Sequence, residues 1–345
     1  MRQTYSSTSH NNRGSVLLMQ GRLAAARREL ESAVQEDPNN VAALTNLGYL
    51  LSREGRLDEA ILLYQKAIGI NSFYAVAHNN LGLAYTEKEL YAEAAEAYAR
   101  AISADPNYTV ARMNLAQLYH VQGELNAAVE AYRAYLRVRP GDTQALYNLG
   151  VVYLAKGLQD QAASAFWQAI RSDRDHAEAR INLGAILARK GQWDQALEML
   201  MPVIEKNPDQ MRVRYHLALA YVGKGDLARA AAQLESILSR EDSLQAANNL
   251  ALIYSEMGKE EASIGLLNSC LANHQGNAAL HLNLGFVYQR IARFQDAALH
   301  FRKVVELESE KSERSKKALE KLAEIGEVVL PARATSPEAP EFRRG

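Results

Sequence analysis

Apolar residues along this chain recur at two interleaved spacings. Over about a dozen residues they fall three and four apart, as in NLGYLLSREG, MNLAQLYHVQG, YNLGVVYLAKG and LNLGFVYQR, which at 100° per residue gathers them on one side of a helix. Over longer distances the words themselves return every 34 residues. They are marked by asparagine at 12, 46, 80, 114, 148 and 182 and again at 249 and 283, with His216 alone breaking the series. A fixed period of that length predicts one supersecondary unit copied along the chain, each copy contacting mainly its neighbours.

With the recurrent asparagine counted as position 6, a first helix (A) carries leucine at 7, Gly or Ala at 8 and Tyr or Leu at 11. Leu81, Gly82 and Tyr85 are one example, and Leu149, Gly150 and Tyr153 another. Positions 4, 7, 8 and 11 form one stripe and should be buried. Position 15 is usually glycine (Gly21, Gly55, Gly123, Gly157, Gly191, Gly225, Gly258), which takes the positive φ that ends a helix and so predicts a turn. A second helix (B) then repeats Ala at 20, an aromatic or Leu at 24 and a third contact at 27, as in Ala60, Tyr64 and Ala67 or Ala162, Phe166 and Ala169. Small residues at 8 and 20 let the two helices approach closely. Turn words such as DPNN at 37–40, DPNY at 105–108, RPGD at 139–142 and NPDQ at 207–210 end each B helix, because proline lacks the amide proton and restrains the residue before it.

This set of signals, with its Leu-Gly-x-x-Tyr, central glycine, Ala-x-x-x-Tyr and terminal Asp-Pro, resembles the tetratricopeptide repeat family. The expected fold is an all-α right-handed α-solenoid superhelix of nine helical hairpins with a C-terminal capping helix. The boundaries are an N-terminal tail at 1–6, repeats at 7–40, 41–74, 75–108, 109–142, 143–176, 177–210, 211–243, 244–277 and 278–311, a capping helix at 312–325 and a disordered tail at 326–345. Ala318, Leu319, Leu322 and Ile325 make the capping helix amphipathic, and the tail has three prolines and no period. Irregularities gather late in the chain: Pro202 lies inside a B helix, the seventh repeat is one residue short, and the eighth has lost one residue between Gly258 and Ala262.

Composition narrows the function more than the fold. A formal charge of −1 and a pI near 6.7 provide no field to recruit phosphate backbones or an anionic membrane. A single cysteine, Cys270, excludes an intrachain disulfide framework and a thiolate metal site. The opening residues lack the apolar core of a signal peptide and no run of 18 apolar residues occurs, so a cytoplasmic protein without direct membrane insertion is expected. The eight histidines show no metal-binding spacing, and no Walker sequence, nucleophile elbow or GxGxxG motif appears, so neither an enzyme nor a cofactor is expected.

Positions 2, 6, 9 and 13 share a side of helix A away from the stripe. The family resemblance implies that this side lines a concave groove, placing Asn46, Asn80, Asn114, Asn148, Asn182, His216, Asn249 and Asn283 inside it, with Tyr147 and Tyr215 at position 5 as anchors. An asparagine amide both donates and accepts, so a row of them could hold an extended peptide backbone. The alternative is a polar residue tolerated on a solvated face. Apolar residues at nearby positions, Val151, Leu154, Leu219 and Val222, either anchor a partner's side chains or pack against the next repeat. The family's carboxylate clamp for chaperone C-termini is not expected, since position 5 (Thr45, Asn79, Met113, Tyr147, Ile181, Tyr215, Asn248, Leu282) holds no lysine.

The resulting expectation is a scaffold or adaptor, free of catalytic residues, that binds an extended peptide or helix of a partner protein; a homo-oligomer is compatible with it. The alternative is a recruiting subunit for a partner enzyme, since the asparagine row resembles the superhelical arm of protein O-linked N-acetylglucosamine transferases. RNA binding, as in pentatricopeptide repeats, is disfavoured by the near-neutral charge.

Overall fold

The computed structural model describes residues 2–309 and 311–326. Among them are nineteen α-helices and no strand: α1 (Arg2–Met19), α2 (Leu23–Glu36), α3 (Val41–Arg53), α4 (Leu57–Ile70), α5 (Ala75–Glu87), α6 (Tyr91–Ala104), α7 (Thr109–Val121), α8 (Leu125–Val138), α9 (Thr143–Ala155), α10 (Gln159–Ser172), α11 (Ala177–Arg189), α12 (Trp193–Lys206), α13 (Met211–Gly223), α14 (Leu227–Leu238), α15 (Leu244–Glu256), α16 (Glu260–Asn273), α17 (Ala278–Arg290), α18 (Phe294–Leu307) and α19 (Glu313–Glu324). Odd-numbered helices up to α17 are the A helices and even-numbered ones the B helices. The fold is an all-α solenoid of helical hairpins, and it groups into two compact parts, Met1–Leu183 and Gly184–Gly345. No helix among the described residues is long and apolar enough to cross a membrane.

Where position 8 is glycine, the two helices of the hairpin approach closely. A β-carbon built on Gly48 would lie 2.7 Å from Cε1 of Tyr64, one on Gly82 2.6 Å from that of Tyr98, and one on Gly150 2.5 Å from that of Phe166. The ring at position 24 therefore occupies the space a side chain would take, and Tyr64, Tyr98 and Phe166 are all buried. Two of the three tyrosines at this position find a hydroxyl partner at position 12, while the third, Tyr132, has Asn148 of the next repeat beside its hydroxyl. Tyr64 finds Ser52 at 3.3 Å and Tyr98 finds Thr86 at 3.1 Å, both from position 12 of the same hairpin, whereas Phe166 faces a repeat with Leu154 at position 12.

The A-to-B turn keeps its left-handed residue even without glycine. Glu89 and Ala292 stand at position 15 of their repeats with φ of 59° and 58°, close to the 72–77° of the glycines there. A β-carbon makes this conformation cost about 1–2 kcal/mol, so packing on either side imposes the turn.

After the first repeat, position 4 is polar in five repeats, buried as expected at His78 but only half-buried at the other four. His78, Arg112, Arg180, Arg214 and His281 each reach back six residues to a carbonyl of the preceding turn, at Ser72, Pro106, Arg174, Pro208 and Gln275, over 2.8–3.2 Å. These side chains fasten successive hairpins by satisfying a turn carbonyl.

Three further departures have local causes. Helix α1 begins at Arg2, so residues 2–6 continue it and the expected tail at 1–6 is corrected. Its polar start carries no apolar period, yet Ser7 is fully buried and donates to the Ala33 carbonyl at 2.8 Å, while Ser6 donates to Glu36 at 2.9 Å. The eighth repeat has lost nothing near Gly258: Ser263, not the exposed Ala262, fills position 20, fully buried with its hydroxyl donating to the Ala251 carbonyl at 2.6 Å. Serine is small enough for the helix contact, and its hydroxyl is satisfied by the facing A helix. Helix α12 runs unbroken through Pro202. At the C-terminal end, Ser312 caps α19 by accepting from the Ser315 amide at 3.0 Å, and fully buried Ala318 and Leu322 join the cluster of Leu284, Phe301 and Val304. The expected disordered tail, from residue 327 onward, lies outside the described residues.

Candidate functional site

The asparagine row is half-buried, and much of it is engaged across repeats. Asn46 donates to Asn11 at 2.9 Å, Asn114 to Asn79 at 2.8 Å, Asn249 to the Tyr215 hydroxyl at 2.9 Å and Asn283 to Asn248 at 2.6 Å. In each case position 6 of one A helix meets position 5 of the A helix before it. Where position 5 makes no such bond, the amide meets a neighbour on its own helix, and Asn148 also interacts with the buried Tyr132 hydroxyl of the preceding repeat. Thr45 is committed to the Val41 carbonyl at 2.7 Å, and Asn80 accepts from Asn79 at 3.3 Å; with Met113 at position 5, Asn148 accepts from Gln144 at 2.9 Å. Asn182 is half-buried on α11. An amide has two N–H donors and a carbonyl with two lone pairs, so one inter-repeat bond uses a fraction of its capacity.

His216 is half-buried, edge-on to Tyr215 with ring centroids 6.0 Å apart. Burial lowers its pKa from the ordinary imidazole value, and the charges of Arg212 and Arg189 add to the effect. The two tyrosines differ from simple anchors. Tyr147 packs back on Phe166 of its own hairpin, centroids 5.8 Å apart, and on His176 at 5.0 Å. Tyr215 accepts from both Asn249 and Gln245, the latter at 2.7 Å, which ties α13 to α15.

Open apolar surface appears farther along the same side in the second compact part. Leu219, Val222 and Leu252 stay 36–37% exposed around a cavity of about 190 Å³, floored by Ala218, Leu234 and Ile253 and edged by Asn249 and Glu256. Three large aliphatic side chains are left at that exposure beside one polar amide, giving a small, mainly apolar cavity. In the first part, Tyr49 and Leu83 hold position 9 and remain 42% and 39% exposed. Among the described residues no group of three or more His, Cys, Asp or Glu could hold a metal ion. Burial raises the pKa of the Cys270 thiol, with a contribution from Asp242, which lowers its reactivity.

The sequence reading missed a second tie between repeats. Lys88 meets Asp58, Lys156 meets Asn126 and Lys224 meets Asp194, each from position 14 to position 18 of the repeat before. The recurrence of lysine 30 residues after an Asp or Asn is visible in the sequence and could have revealed it.

Models of the tetratricopeptide repeat match residues 11–75, 85–149, 153–220 and 211–236, more than half of the chain. No curated protein matches it by sequence. Among solved structures, MamA is 30% identical, with 48% of this chain and 96% of that one covered and a TM-score of 0.44. YrrB, described as a TPR protein with an unusual peptide-binding site, is 28% identical over 53% and 95%, with a TM-score of 0.46. The C-terminal part of a TPR repeat-containing protein from Cytophaga hutchinsonii shares the fold at 15% identity over 70% and 99%, with a TM-score of 0.59.

Proposed function

This chain belongs to the tetratricopeptide repeat family, and on that premise we propose that it is a non-enzymatic scaffold holding an extended segment or helix of a partner protein against its A helices. The observation that supports this reading most is the exposed trio of Leu219, Val222 and Leu252 converging on one cavity beside Asn249. An apolar side chain of the partner would fill the cavity. Asn249, whose bond to Tyr215 uses one of its two donors, would pair with the partner's backbone. Within each part the half-buried asparagines, and His216 in the second, would serve the A-helix side, the inter-repeat bonds of Asn46, Asn114, Asn249 and Asn283 presenting those amides in a set orientation.

Selection of unmodified random peptides on the immobilised chain tests the proposal. Saturable binding is expected, and Leu252→Asp should weaken it about 10- to 100-fold, because burying one aliphatic side chain contributes about 1.5–3 kcal/mol. Leu252 is solvent-facing, so the circular dichroism of the variant should match wild type. Absence of any enriched peptide, or equal binding by wild type and Leu252→Asp, would sink the proposal.

A further inference from the structure

A second cavity, of about 340 Å³, opens between α4, α5 and α6, away from the asparagine row. It is lined by Leu81, His78, Ile68, Tyr85 and Ala97, with the exposed Gln65, Glu93, Glu96 and Arg100 lining it as well. His78 is only 4% exposed. Its Nε2 lies 2.9 Å from the Ser72 carbonyl, which can only accept, so Nε2 carries a proton and in the neutral ring Nδ1 is a bare acceptor. That Nδ1 is buried and has no hydrogen-bond partner. A buried acceptor without a partner is costly and rare in a folded chain.

The ninth repeat shows what satisfies the same atom. His281 stands at the same position 4, its Nε2 bonded to the Gln275 carbonyl at 3.1 Å, and its Nδ1 meets Nδ1 of His300 at 2.9 Å. The tautomer follows by the same reasoning: His281 Nδ1 accepts and the His300 ring N–H donates. The His300 ring also stacks on Tyr288, centroids 5.5 Å apart and planes 9° from parallel. The third repeat has the histidine (His78) and the tyrosine (Tyr85) of this arrangement, but Ala97 stands where the ninth has His300. The missing imidazole leaves the cavity.

In the fifth repeat the corresponding cleft, about 270 Å³, is lined by Leu146, Tyr153 and Ala165. It has the space and the tyrosine without the acceptor. The buried acceptor is therefore a feature of the third repeat rather than of every B-to-B cleft.

We propose that the cavity over His78 is a binding site for a planar N–H heteroaromatic group, an imidazole or indole, that stacks on Tyr85 and donates to His78 Nδ1. Ile68, Leu81 and Ala97 would pack against the ring, and the buried Nδ1, unlike the exposed carboxylates of Glu93 and Glu96, would set its orientation. Simple alkyl groups would fill the space and leave the acceptor unmatched. A carboxylate would bring a lone pair against a lone pair.

The test is a two-bond 1H–15N spectrum of the histidine side chains of the full chain, at mildly alkaline pH, titrated with 4-methylimidazole and with 3-methylindole. Wild type should show a saturable shift of the His78 Nδ1 resonance with at least one of them. Ala97→His should reproduce the ninth repeat, shifting His78 Nδ1 without any ligand and abolishing the response. Ala97→Met, the residue present at this position of the sixth repeat as Met199, should block the cavity without donating. It should remove the titration while His78 Nδ1 stays at its unliganded position, and it keeps the test alive if the histidine variant does not fold. A histidine-containing peptide that binds more tightly than 4-methylimidazole assigns the ring to a partner protein, and equal affinity assigns it to a free small molecule; both support the site. No saturable shift at His78 in wild type, or the same titration in both Ala97 variants, overturns it.

Discussion

Replacing Gly150 by alanine should destabilise the first compact part, although alanine is the better helix former. A β-carbon at 150 would lie 2.5, 2.7 and 2.9 Å from Cε1, Cδ1 and Cζ of Phe166, all shorter than a van der Waals contact. The ring cannot retreat freely: it is fully buried, and Tyr147 packs on it at 5.8 Å between centroids. Helix propensity favours alanine by about 1 kcal/mol, while overpacking a close contact costs about 1–3 kcal/mol, leaving a net loss near 1 kcal/mol. Gly265→Ala is the control, since Gly265 lies inside α16 with nothing within 4 Å of its added β-carbon, and it should gain about 1 kcal/mol. Urea midpoints at constant m-value measure both changes. Hydrogen exchange on α9 and α10 shows whether the loss is local, as expected when repeats contact chiefly their neighbours. The seventh and eighth repeats pair alanine with leucine here, Ala218 with Leu234 and Ala251 with Leu267. Phe166→Leu should therefore reduce the cost of Gly150→Ala in a double-mutant cycle. Gains from both alanines, or an additive cycle, would refute the close-approach argument.

Asn114→Ala removes the donor to Asn79, which is 2% exposed, and should cost about 1–2 kcal/mol. Asn148→Ala releases exposed Gln144 but also the buried Tyr132 hydroxyl, so it too should cost about 1 kcal/mol; no loss in Asn114→Ala by denaturant titration would contradict the inter-repeat role of the row. Ala292→Gly relieves a φ of 58° and should raise stability by about 0.5–1 kcal/mol after the added freedom of the unfolded chain is counted, read as a higher urea midpoint. Burial, with His281 beside it, holds the His300 pKa down at about 4, below the ordinary 6.5. The folded form thus binds fewer protons than the unfolded form, so its stabilising contribution is complete above pH 6.5 and is lost as pH falls toward 4. His300→Phe should flatten the pH dependence of the midpoint across that window; an unchanged slope would contradict a buried neutral imidazole.

The repeat made the hairpins legible because helix formation and the A-to-B contact are local. Gly150 and Phe166 are 16 residues apart, within one copy, and a glycine or alanine facing a tyrosine, phenylalanine or leucine returns at that spacing in every repeat. The left-handed turn at position 15 was equally readable from seven glycines, and only Glu89 and Ala292 needed the structure to show that packing imposes the conformation without them. Ser263 was misread because residue type was matched where size and a satisfied hydroxyl decide. The asparagine row was half readable. Its face on helix A follows from the 100° step, but its partners do not, because each donor looks to position 5 of another copy, where the residue is Asn11, Asn79, Tyr215 or Asn248 in some repeats and Met113 or Ile181 in others.

By itself, then, the chain's amino-acid order determined which residues are helical, where each helix turns, and which stripe is buried, since those follow from interactions inside 34 residues. Tertiary structure alone decided which asparagines are tied, that Leu219, Val222 and Leu252 meet around a cavity, and that His78 is buried with an acceptor unmatched. These depend on how neighbouring copies stack, and a single substitution such as alanine for histidine at position 23 changes a filled contact into an open site while leaving the period untouched.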